Sequence, residues 1–98
     1  MVLDDRYESK QKQQGQWQGA KDDLERALAL ESENGAVSGI LLNNLGNACG
    51  ALGDWDEAMQ KFREASMDDE VTPIALANLA LALFQVCLSP SGWFWRLQ

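Results

Sequence analysis

The sequence predicts an all-α chain, and three observations carry that prediction. Apolar residues recur three and four apart through most of its length, the spacing of one helix face. Helix stop and start signals, Gly53-Asp54 and Thr72-Pro73, punctuate those stretches. No β pattern competes with them: β-branched residues are few, and no alternating run reaches five residues.

Taken in order, Leu3 to Gln14 is polar, rich in Gln and Lys, and compatible with a helix of weak apolar face (Val2, Leu3, Tyr7). Trp17 to Leu30 sets Trp17, Ala20, Leu24, Ala27 and Leu28 on one face, with charge opposite. Ser38 to Leu52 repeats the pattern through Leu41, Leu42, Leu45, Ala48, Cys49 and Leu52. Gly53 stops that helix, because glycine accepts the left-handed conformation at a helix end. Asp54 opens the next one, its carboxylate facing the free N–H groups of the first turn, and Glu57 completes a capping-box-like pair. That helix runs through Ala58, Phe62 and Ala65.

Thr72-Pro73 is the second start signal, an N-cap followed by proline at the first helical position. Ile74 to Cys87 is then apolar all round, through Ile74, Leu76, Leu79, Leu81, Leu83, Phe84 and Val86, and is predicted to be buried on every side. Ser89-Pro90-Ser91-Gly92 ends it, and Trp93 to Gln98 adds apolar area without helical phasing. The expected total is about five helices.

Ninety-eight residues make one small domain, near the lower limit for a self-sufficient core. A net charge of -7 disfavours nucleic acid, whose phosphates call for Lys and Arg, and disfavours an anionic membrane surface for the same reason. The first residues, MVLDDRYESK, show no secretory signal, and the longest apolar run, Leu79 to Phe84, is too short to span a bilayer. An intracellular soluble protein is favoured, with compartment unassigned. Cys49 and Cys87 are isolated and histidine is absent, so neither a metal site nor a cofactor is expected. Two buried thiols acting as small apolar residues are the simplest reading.

The chain also repeats itself. Gly53-Asp54-Trp55 followed by Ala58, Phe62 and Ala65 aligns with Gly15-Gln16-Trp17 followed by Ala20, Leu24 and Ala27, at an offset of 38 residues. Asn44-Leu45-Gly46 aligns with Asn78-Leu79-Ala80 at an offset of 34. With Leu45, Gly46, Ala58, Phe62 and Ala65 in their characteristic places, the stretch Leu41 to Ala65 resembles the tetratricopeptide repeat, whose period is about 34 residues. Cys49 stands where that family usually has tyrosine, and Glu70 near its usual proline.

The resemblance implies antiparallel helix-turn-helix repeats stacked as a short right-handed α-solenoid. A degenerate repeat would occupy about 1–34, a central repeat about 39–72 and a partial repeat 73–88, leaving 89–98 as an irregular apolar tail. Small residues would let the helices approach, with axes about 8–10 Å apart. Gly46 is expected to face Ala58, Ala65 to face Ala80, and Ala27 to face the helix bearing Gly46.

The resemblance further implies a scaffold that binds a protein or peptide segment on its concave face. The groove positions carried over are Ile40, Asn43, Asn47 and Gly50 in the central repeat, with Ile74, Ala77 and Leu81 in the next. Asn43 and Asn47 lie one turn apart, so two amides would grip an extended backbone. One subclass of the family binds acidic C-terminal carboxylates through groove Lys and Arg. Ala77, Asn78 and Leu81 stand at the third-repeat positions here, which argues against such a clamp. The alternative reading is an assembly module, or a fragment of a longer repeat protein, that forms a homo-oligomer through its apolar C-terminal helix.

An enzyme is disfavoured. The acidic clusters Asp22-Asp23, Asp54/Asp56 and Asp68-Asp69-Glu70 fall at helix ends or exposed faces, where capping or solvation explains them. No Gly-rich phosphate loop and no G-x-S-x-G element is present.

Overall fold

Residues 5–88 are described by a computed structural model, with side chains from residue 12 onward. They form four helices: α1 (Asp5–Glu33), α2 (Gly39–Ala51), α3 (Trp55–Ala65) and α4 (Thr72–Leu88). No strand occurs among the described residues. The side chains of Val2, Leu3 and Tyr7, and the tail 89–98, lie outside them.

The expectation of about five helices divided the first 33 residues in two. In the structure they are one helix, roughly 43 Å long at the α-helical rise. Gly15-Gln16 aligns with Gly53-Asp54 but does not make its turn. Gly53 has φ 84° and Asp54 accepts a hydrogen bond from the Glu57 N–H at 3.4 Å. Gln16 is no such N-cap residue, and the helix runs on through it. α1 ends instead at Gly35, also at φ 84°, where the Asn34 and Gly35 N–H groups donate to the Glu31 and Ser32 carbonyls.

Two acidic side chains then position α2. Glu31 accepts from the Ser38 N–H at 2.7 Å, and Asp68, from the connection between α3 and α4, accepts from the Gly39 N–H at 2.9 Å. Both carboxylates sit where the helix dipole favours negative charge. Gly39 has to be glycine for this, because a Cβ there would collide with Asp68 and Val71. The capping box expected between Asp54 and Glu57 is half made: Asp54 caps α3, but the Glu57 carboxylate turns away to Lys21 of α1, at 3.2 Å.

α4 starts one residue earlier than expected. Thr72 does not cap it; its hydroxyl turns back to the Ser66 and Asp68 carbonyls, at 2.8 and 3.0 Å. Pro73 still falls in the first turn, where its missing N–H breaks no helical bond.

Successive helices pack on one another, and α2 also touches α4. Gly50 meets Trp55, Gly46 meets Phe62, and Leu42 shares a cluster with Ala65, so α2 and α3 run antiparallel. The core has two clusters. Leu45, Cys49, Ala58, Phe62 and Ala82 form one; Leu42, Ala65, Val71 and Ala75 form the other. Leu28 of α1 leans on both, with Leu24 on the first.

Two of the expected small-residue contacts differ. The space in front of Gly46 is filled by the Phe62 ring, not by Ala58, and Ala65 packs with Ala75, while Ala80 is exposed. α4 is not buried on every side either. Ala75 and Ala82 are its buried residues, and Ile74, Leu76, Leu81, Leu83, Phe84 and Leu88 stand exposed. The reason is position: α4 has α3 and part of α2 on one side and no further helix among the described residues on the other.

Candidate groove between the second and fourth helices

Two glycines of α2 let another helix approach closely. Gly46 and Gly50 are one turn apart, and the rings of Phe62 and Trp55 lie directly against them. A Cβ on Gly46 would come within 2.5 Å of the Phe62 ring, and one on Gly50 within 2.8 Å of Trp55. Glycine therefore lets two aromatic rings from α3 sit against the α2 backbone and form an apolar floor.

Above that floor opens a groove of about 380 Å³. Gly46, Asn47, Gly50 and Ala51 of α2 form one wall, and Asn78, Leu81 and Ala82 of α4 the other. Asn47 and Asn78 supply amide groups, and no charged side chain contributes to the lining. Such a surface suits a ligand with an apolar anchor and backbone-type hydrogen-bonding groups.

The groove positions carried over from the repeat resemblance are distributed unevenly. Asn47, Gly50 and Leu81 line the cavity. Ile40 is exposed at the start of α2, away from it, and Ile74 and Ala77 lie on the outer arc of α4. Asn43 is a correction. It is only 6% exposed, and its Oδ1 accepts from the Asn78 Nδ2 at 3.0 Å, tying α2 to α4. Its amide is part of the packing between helices, so it does not pair with Asn47 to grip a backbone.

Gly46, Ala51, Trp55, Phe62 and Ala82 were not read as groove residues from the sequence. A signal for the floor was present in Gly46 and Gly50, since two glycines at i and i+4 in a helix interior mark a close approach. Of the repeat-packing residues, Leu45, Gly46, Ala58, Phe62 and Ala65 are all buried.

Lys21 of α1 pairs with Glu57 of α3 at 3.2 Å and with Glu25 at 3.8 Å, and the hydrogen bond to Glu57 raises the lysine's pKa. Burial pushes the Cys49 thiol up to about 11, so it stays protonated and unreactive at neutral pH. Cys87 is half-buried rather than fully buried. Among the described residues no cluster of His, Cys, Asp or Glu has the makings of a metal site, and no helix is long and apolar enough to cross a membrane.

Comparisons with protein-family models, with curated proteins and with solved structures find no match.

Proposed function

We propose that this chain is a protein-interaction module that follows the tetratricopeptide pattern, its helices stacked as a short right-handed solenoid. It takes an extended partner segment in the groove between α2 and α4. The observation that carries the reading is the groove itself: an open, uncharged trough of about 380 Å³ with an aromatic floor and an amide on each wall. A partner's side chain would enter over Phe62 and Leu81 while Asn47 hydrogen-bonds its backbone. Support for the repeat pattern comes from the 34-residue offset and from the Asn43–Asn78 hydrogen bond, which joins the first helices of the central and third copies. The role is binding, without catalysis.

Panning a random peptide library displayed on phage against the full chain tests the reading. Enriched peptides should share an apolar anchor, and their affinity should fall several-fold in Asn47→Ala. Ala51→Arg, which fills the trough from an exposed position, should abolish binding while circular dichroism stays unchanged. An absence of enrichment, or peptides indifferent to both variants, would overturn it.

A further inference from the structure

The exposed arc of α4 has a register of its own. Ile74, Ala77, Leu81, Phe84 and Leu88 follow one another at steps of three, four, three and four, and every one is exposed. Leu81 is 64% and Phe84 60% accessible. Alternating steps of three and four place side chains along one seam that matches a second helix in knobs-into-holes packing. An irregular loop or a flat surface would need no such spacing.

From this seam we infer that two copies of the chain pair through α4, antiparallel and about a two-fold axis. Three features select a second copy as the occupant. First, α4 carries no Asp, Glu, Lys or Arg over its 17 residues, in a chain of net charge -7. The positions flanking the seam, where charges normally choose a partner, hold Asn78, Gln85, Ala80 and Cys87, so nothing on the helix rejects its own copy.

Second, the seam is complementary to itself. When two copies run antiparallel with first-type seam positions facing second-type ones, the gap at Ala77 receives a leucine, Leu81 or Leu88, from the other copy. Third, Ile74, Leu81, Phe84 and Leu88 are each more than half exposed, a continuous apolar strip of the kind that interfaces cover.

The direction of pairing follows from charge. The acidic connection Asp68-Asp69-Glu70 leads into the N-terminal end of α4. Parallel pairing would set the two connections side by side. Antiparallel pairing separates them by the length of the helix, about 25 Å, well beyond the screening length of roughly 8–10 Å. The seam shares Leu81 with the groove, so pairing and groove binding compete there, whereas Ile74 and Phe84 do not line the groove and report on the pairing alone.

Sedimentation equilibrium of the full chain across a wide concentration range tests it. A monomer–dimer equilibrium is expected. Ile74→Glu and Phe84→Glu should each shift it to monomer, while Met67→Glu, at an exposed apolar residue off the seam, should leave the dimer intact. Circular dichroism of each variant separates a lost interface from a lost fold. A full chain that is monomeric at every concentration, a larger assembly, or a dimer indifferent to both seam charges in folded variants would overturn the pairing.

Discussion

Gly15 and Gly46 both lie inside helices, yet an added methyl group should act on them in opposite directions. Nothing stands within 4 Å of a Cβ at Gly15 or Gly19, and neither has a positive φ. Alanine at either should therefore stabilise the fold by roughly 0.5–1 kcal/mol, the usual advantage of alanine over glycine in a helix. At Gly46 the Phe62 ring occupies that space, so Gly46→Leu should cost about 1–3 kcal/mol or more through overpacking. Urea titrations of the three variants check both signs. The asparagines divide in the same way: Asn43→Ala removes a buried hydrogen bond and should cost about 1 kcal/mol, while Asn47→Ala should stay within about 0.5 kcal/mol.

Cys49 makes a pH-dependent contribution. Its folded pKa lies above the unfolded value, because burial disfavours the thiolate. At neutral pH both states are protonated and the residue adds no pH dependence. Above about pH 8.5 the unfolded chain releases the proton and the folded chain keeps it, so stability falls as pH rises from there toward 11. Thermal midpoints should decline over that window and decline less in Cys49→Ala. A thiol reagent at neutral pH should label Cys87 ahead of Cys49.

Between elements, the connections do more than reverse the chain. Asp68 reaches from the α3–α4 connection to the first N–H of α2, and its other oxygen accepts from the Glu70 N–H at 3.1 Å. Asp68→Ala should lower stability by about 1 kcal/mol, as the loss of an N-cap does. Hydrogen exchange should quicken at Gly39 and in the connection together, because one side chain holds both. Exchange that changes in the connection alone would show that Ser38, whose hydroxyl accepts from the Leu41 N–H at 3.4 Å, holds the start of α2 unaided. The pair Lys21–Glu57 plays a lesser part between α1 and α3. Its side chains are partly exposed, so Glu57→Gln should cost no more than about 1 kcal/mol.

Across the whole molecule, helix type and order were legible because they rest on local signals. Asp54 caps α3 and Gly53 turns the chain ahead of it, both as the sequence predicts, since turn and cap involve residues within three or four positions of one another. The boundary at Gly15 was misread because the same spacing without a capping carboxylate does not make a turn. The groove was legible in part. Asn47 and Leu81 line the groove as the repeat resemblance implies, but the burial of Asn43 depends on Asn78, 35 residues away. The outer arc of α4 was read as buried because periodicity reports apolar character and not which neighbour is present to cover it.

What the sequence alone determined is therefore an all-α chain with its turn at Gly53 and its cap at Asp54, each specified within a few residues by φ preference, side-chain acceptors and helical spacing. The tertiary structure alone decided which apolar faces meet. It placed Phe62 and Trp55 against the glycines of α2, sent Asp68 to the start of that helix, and left the α4 seam in water. Those outcomes depend on the distance between helix axes and on which segments lie side by side, and no pattern within one helix encodes either.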